Sequence, residues 1–254
     1  RAAVAGVDAV IHLATSKEDR ESFFEVSVRG TFELLDACRE VGVEQVILAG
    51  GDAAVGILFN PHPYPIDEQE PLRAYPGYYA FSKVMEESMA NQYRLQYGLP
   101  VTILRFSWIH DEDDILAHAT LAEPQFGFPV WRELASSPAQ KAFFESGRDA
   151  VACLRHPDGS SYKRHIVSIH DVVQAFERAL GNRDAVGETF NIAAPSAFRY
   201  EAVARYIGEK LGLPVVDFEL AGYHDFAVDI SKARSMLGCQ PAWDIFRMVD
   251  EAVE

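Results

Sequence analysis

Val46-Ile47-Leu48-Ala49-Gly50-Gly51 is a short apolar run that stops on two glycines. It reads as a buried strand of a parallel sheet, hydrophobic throughout because both faces are covered. Upstream, Phe24, Val28, Phe32, Leu35, Cys38 and Val41 recur at steps of three and four and end at Gly42, which predicts one face of a helix and its C-cap. Before that helix, Val7-Asp8-Ala9-Val10-Ile11-His12-Leu13-Ala14 is a second apolar run and a second strand. Downstream, a loop carrying Pro61, Pro63, Pro65, Pro71 and Pro76 precedes a helix from about Tyr78 to Tyr97, closed by Gly98. Val101-Thr102-Ile103-Leu104-Arg105-Phe106 supplies a third strand. Strand, helix, strand, helix, strand with short joints predicts an α/β fold built on a doubly wound parallel sheet.

Residues 1–110 read as this core, and 111–254 as a small substrate-side lobe interleaved with the last core strands. The stretch 111–163 is too long for a simple connection. Strands are expected at Ile166–Ile169 and Thr189–Ile192, helices at Val172–Leu180 and Tyr200–Leu211, and a last helix through Met248. Phe126, Phe128 and Trp131 read as lobe core, and the run His110-Asp111-Glu112-Asp113-Asp114 as a solvated loop.

Composition narrows the function. The 254 residues carry a net charge of −15, which argues against nucleic acid and anionic membranes, because both need clustered Lys and Arg. A small anionic ligand needs only a few local donors. Three separated cysteines, Cys38, Cys153 and Cys239, suit neither a disulfide framework nor a zinc site. A reducing, cytoplasmic setting is expected. No Gly-x-Ser-x-Gly elbow and no Gly-Lys-Ser/Thr phosphate loop is present, and the histidines lack metal-ligand spacing.

Tyr79 and Lys83 stand four residues apart at a helix start, and so share a face. An ammonium beside a phenol favours the phenolate, which predicts a lowered Tyr79 pKa and a group able to exchange a proton with an alcohol or carbonyl. Tyr206 and Lys210 repeat the spacing inside a late helix, without a strand and loop before them, and read as structural. Asp52, at the end of a strand, reads either as a turn residue or as an acceptor for a substrate hydroxyl. Arg164 beside a buried strand is an anion-binding candidate or a strand-end arginine.

In order and spacing, several blocks together resemble the extended short-chain dehydrogenase/reductase family of the NAD-dependent epimerase/dehydratase type. They are Val7 to Ala14, Val28-Arg29-Gly30-Thr31, Tyr79-Ala80-Phe81-Ser82-Lys83 with Glu86, Leu104-Arg105-Phe106-Ser107, Arg164 to Val172, Gly187 to Ile192 and Leu237 to Pro241. The resemblance implies a Rossmann-like fold entered at its fourth strand. About 60–70 residues, two β-α units of about 30 each plus a strand, would precede residue 1 in a longer chain. It implies NAD or NADP as cofactor, NAD by default, with Tyr79 as acid/base and Lys83 on the nicotinamide ribose. Leu13, Ala14, Thr15, Lys17, Phe106 and Ser107 would line the cofactor, and Arg164 would face a nucleotide-sugar substrate. A homodimer through the Tyr79 helix and the one before it is also implied.

Three departures bear on activity. Asp52 stands where the family places a Ser or Thr hydroxyl; ionised, it would accept but not donate, and would raise the Tyr79 pKa. Ala53 and Ala54 occupy the Asp-Glu positions of sugar 4,6-dehydratases, which argues against dehydration. Ser27 replaces the usual Asn, and His110-Asp111 the usual Gly. The alternative reading is therefore a non-catalytic relative acting as a dinucleotide-sensing or interaction module.

Overall fold

The computed structural model describes residues 2–121 and 129–254. β1 (Ala9–His12) leads into a helical stretch made of α1 (Arg20–Ser22), a π-helical segment (Phe23–Gly30) and α2 (Thr31–Val41). Then come β2 (Gln45–Gly51), a 3-10 turn (Asp52–Val55), the proline-rich loop, α3 (Tyr78–Tyr97) and β3 (Val101–Phe106). The second half runs through β4 (Trp108–His110), α4 (Glu112–Ala119), α5 (Trp131–Leu134), α6 (Pro138–Ser146), β5 (Val151–Arg155), β6 (Lys163–Arg164) and β7 (Ile166–Ser168). It ends with α7 (Ile169–Ala179), β8 (Thr189–Ile192), β9 (Phe198–Arg199), α8 (Tyr200–Leu211), β10 (Val215–Glu219) and α9 (Ile245–Val253).

Alternation along β2 organises two layers. Val46 and Leu48 pack with Leu35 and Cys38 of α2 and with Ala90 and Tyr93 of α3. Ile47 belongs to a second cluster with Leu104 of β3 and with Val172 and Ala175 of α7. Successive side chains of a strand point to opposite faces, so one strand serves both layers. The sheet is parallel, in the order β1-β2-β3-β8, with helices on both faces. This is the doubly wound architecture that the sequence predicts. A further core gathers Trp131, Tyr162, Ile207, Phe218 and Met248 beside the parallel pair β5 and β10. Among the described residues, no helix is long and apolar enough to cross a membrane.

Some expectations need correction. The predicted helix face before Gly42 is only partly buried: Leu35 and Cys38 are inside, whereas Phe24 and Phe32 are 56% and 47% exposed. The cause is the π-helical segment. Its wider turn rotates the chain, so that Phe23, Ser27 and Thr31 face inward instead. The acidic run after His110 is not a loop but the start of α4. Asp111 caps that helix by accepting from the Asp114 amide, and His110 Nδ1 lies 2.6 Å from Asp114 Oδ1. The strand expected at Ile166–Ile169 ends at Ser168, whose hydroxyl caps α7. Trp131 lies in the lobe core with its indole N–H on the His118 carbonyl, while Phe126 and Phe128 lie outside the described residues.

Candidate active site

The first turn of α3 is fixed from outside the helix. The Glu18 carboxylate accepts from the backbone N–H groups of Tyr78 (2.7 Å) and Tyr79 (3.3 Å). It thereby satisfies donors that a helix start leaves open, and sets a negative charge at the positive end of the dipole. Gly77 makes this possible: its φ is +144°, and a Cβ there would sit 2.8 Å from Glu18 Oε1. Tyr79 is thus held half-buried at the end of the helix nearest the β2 terminus. Lys17 Nζ lies 4.7 Å from its ring centroid, and Lys83 Nζ 5.7 Å. Among the described residues its hydroxyl makes no hydrogen bond.

Lys83 is buried beneath, and its ammonium is engaged elsewhere. It donates to the Ala49 carbonyl at 3.0 Å and to Glu86 Oε2 at 2.9 Å. Glu86, itself buried, also accepts from Thr15 Oγ1 at 3.1 Å. Ser27 Oγ accepts from the Ser16 N–H, which pins the segment after β1 against this group. The expected lowering of the Tyr79 pKa by Lys83 is therefore reversed. Burial, and next the charges of Asp52 and Glu86, drive the phenol above its ordinary value. The same burial, with Lys83 close by, pulls His12 down to about 4. An ammonium has three protons. With two of them on Ala49 and Glu86, Lys83 keeps one for a ligand hydroxyl.

Asp52 follows β2 directly and is 7% exposed. Its Oδ2 lies 2.6 Å from Ser107 Oγ, which is also 2.8 Å from the His165 carbonyl. Burial pushes Asp52 up to about 6, against the Ser107 hydrogen bond, the Arg164 charge, the Ala53 amide and Arg105. Arg164 is buried rather than a free strand end. Its guanidinium stacks 4.2 Å from the Trp108 ring centroid and donates to the Tyr200 hydroxyl at 2.9 Å. It borders a small cavity of about 30 Å³ in the lobe, lined also by Trp108, His110, Trp131 and Tyr200. That cavity does not include Tyr79, Lys83 or Asp52, but Arg164 both lines it and acts electrostatically on Asp52.

Tyr79, Lys83, Asp52, Thr15 and Lys17 therefore converge. Leu13 and Ala14 are exposed just past β1. Phe106 does not join them, because its side chain packs into the opposite core against Phe176. Ser107 belongs to the Asp52 side. The second pair, Tyr206 and Lys210, shares Asp250 on α9 and holds two helices together. The parts of this geometry that the sequence does not single out are Glu18, the role of Glu86 and the half-buried Tyr75. Of these, only Glu86, three residues after Lys83, had a readable spacing signal.

His165 has both ring nitrogens committed in one tautomer: Nδ1 accepts from the Val228 N–H and Nε2 donates to the Ala194 carbonyl. Protonation breaks the first bond, and burial holds the ring down at about 4 against an ordinary 6.5. The folded state then binds fewer protons than the unfolded chain, so the stabilisation is complete above pH 6.5 and is lost as the pH falls toward 4. Denaturant unfolding at pH 7 and pH 4.5 is expected to show this loss in the parent. In His165→Gln, whose amide keeps one donor and one acceptor, the loss is expected to be smaller.

Residues 1–109 match the NAD dependent epimerase/dehydratase family. A dTDP-glucose 4,6-dehydratase of Streptomyces griseus is 33% identical over 96% of this chain and 70% of its own. The chain belongs to this family. A uronate dehydrogenase of Pseudomonas syringae pv. tomato is 33% identical over 104 residues, 40% of this chain and only 37% of that relative. A short-chain dehydrogenase/reductase superfamily protein of Agrobacterium tumefaciens, crystallised with bound NAD, superposes with a TM-score of 0.84 at 25% identity. That superposition covers 99% of this chain and 80% of the other. Within the family, this member carries buried alanines at positions 53 and 54 and a buried carboxyl at position 52.

Proposed function

We propose that the protein is an NAD(P)-dependent oxidoreductase or epimerase acting at a hydroxyl-bearing carbon of a nucleotide sugar or a related sugar acid, with Tyr79 as acid/base. One observation carries the reading. Among the described residues the Tyr79 hydroxyl makes no hydrogen bond, in a half-buried site where the neighbouring Glu86 and Asp52 are already engaged and Lys83 keeps one proton to give. The donor set suits a nicotinamide dinucleotide: the spare proton of Lys83 and the Tyr79 hydroxyl would hold its ribose, beside Leu13, Ala14 and Thr15. When bound, the dinucleotide supplies the hydride acceptor or donor. This chain's residues manage the proton. With its pKa raised, Tyr79 rests as a phenol, ready to give a proton to a carbonyl oxygen; in the reverse direction it takes one from a hydroxyl.

Substrate-side features agree. Arg164, fixed by Trp108 and Tyr200, offers positive charge beside the lobe cavity, which suits an anionic substrate. Dehydration is disfavoured, because Ala53 and Ala54 have no proton to move. The exposed Phe24 and Phe32, together with Phe81, Leu95 and Tyr97 on α3, support a homodimer through these helices. Sedimentation showing only monomer would remove that part.

The engagement of Lys83 by Glu86 and the raised Tyr79 pKa favour a second reading, a relative that binds dinucleotide without turnover. The full protein, given NAD or NADP, is assayed for absorbance change with a panel of nucleotide sugars and free uronates, and for thermal stabilisation. Turnover with any of them supports the enzyme. Stabilisation by dinucleotide without turnover supports the sensor.

A further inference from the structure

Ser107 cannot satisfy its neighbours if Asp52 is ionised. Its Oγ lies 2.6 Å from Asp52 Oδ2 and 2.8 Å from the His165 carbonyl oxygen, and all three residues are buried. A serine hydroxyl has one proton to give, and a backbone carbonyl has none. The bond to His165 therefore takes the serine's proton. What remains at 2.6 Å is an oxygen–oxygen contact of hydrogen-bond length, and only the carboxyl can supply its proton. A carboxylate in the same place would set two acceptors against each other away from water, which is unfavourable.

We propose that Asp52 works as a neutral carboxylic acid, donating from Oδ2 to Ser107 Oγ, which in turn donates to the His165 carbonyl. Several groups face this acid. Arg105 from β3, Arg164 from β6 and the Ala53 amide favour the carboxylate, while Tyr75 and Tyr79 are uncharged phenols. Burial outweighs the cations and carries Asp52 up to about 6, so without a ligand the neutral acid predominates below that pH. A substrate that expels more water adds to the same effect.

The chemical meaning of the relay rests on the proposed function; its proton count does not. Asp52 occupies the strand end where relatives are expected to carry a hydroxyl. A neutral acid resembles that hydroxyl in adding no charge beside Tyr79, whereas the ionised form raises the Tyr79 pKa. Asp52 is thus a proton-bearing substitute, and Ser107 is the positioning residue that keeps the proton on it.

The test is a carboxyl titration. Protein labelled with carbon-13 at its aspartate carboxyls is followed by NMR against pH. The Asp52 signal is identified by its loss in Asp52→Asn or, should that variant not fold, in Asp52→Ser. The expected midpoint is about 6 or higher. Ser107→Ala is expected to lower it, because alanine removes the acceptor of the acid's proton. If Ser107 instead donates to a carboxylate, the same substitution raises the midpoint. A raised or unchanged midpoint in Ser107→Ala, or a parent midpoint near the ordinary 3.8, overturns the proposal. No turnover is needed for this measurement. A neutral Asp52 in a protein that moves no hydride would refute the enzymatic reading and leave the relay standing.

Discussion

Tyr79→Phe in the full protein is expected to lower turnover by about 10²- to 10⁴-fold, the usual worth of a positioned acid/base. Dinucleotide-induced thermal stabilisation should survive in large part, because the remaining proton of Lys83 is still offered to the ribose. Phenylalanine keeps the ring that Lys17 and Lys83 approach, and it disturbs no hydrogen bond made among the described residues. The two readouts must therefore separate. Loss of both would mean that the hydroxyl is needed to hold the dinucleotide as well as to move the proton. Retention of turnover would show that the proton moves elsewhere and would end the assignment of Tyr79. The direction of pH dependence follows from the same surroundings. Burial, Asp52 and Glu86 all hold Tyr79 in its protonated form, so oxidation of an alcohol should quicken as pH rises and reduction of a carbonyl should not. Above its midpoint of about 6 Asp52 is ionised, and there Asp52→Asn removes one of those charges and is expected to move the oxidation profile toward lower pH.

That much of the site was legible in sequence because it is local. Tyr79 and Lys83 sit one turn apart in a helix whose ends, Tyr78 and Gly98, are marked by a proline-rich loop and a left-handed glycine cap. The sheet was legible for the same reason, since each strand is an apolar run bounded by breakers. What sequence could not show is where a long side chain spends its hydrogen bonds. Lys83 is spaced to reach Tyr79, yet a carbonyl on β2 and a carboxylate one turn further along α3 take its protons. Asp52 and Ser107 are 55 positions apart, and nothing in either segment announces that they meet. The misjudged helix face has a different cause. A period of 3.6 assumes an α-helix, and the π-helical segment from Phe23 to Gly30 breaks that assumption without any proline or glycine run to signal it.

The largest stability effect is expected at an ion pair beneath the site. Arg105 of β3 and Glu87 of α3 are 2% and 3% exposed, with Nη2 2.6 Å from Oε1. The second guanidinium arm reaches Asn191 Oδ1 of β8 at 3.4 Å, and Asn191 itself donates to the Ile66 carbonyl and to Glu68. One cation thus ties the helix bearing Tyr79 and Lys83 to the sheet. Glu87→Ala strands a buried guanidinium, and Arg105→Ala strands a buried carboxylate. Breaking a buried pair from one side costs about 3–5 kcal/mol. Glu87 also follows Glu86 directly, so a shifted α3 displaces the Lys83 cluster as well. Urea unfolding of each single variant is expected to show that loss, whereas Arg105→Met with Glu87→Leu, which strands no charge, should recover most of it. Single variants within about 1 kcal/mol of the parent would mean that water reaches the pair on substitution, as at an exposed salt bridge. The anchoring of α3 would then rest on Leu35, Cys38, Ala90 and Tyr93, the apolar contacts between the two helices and β2, rather than on charge.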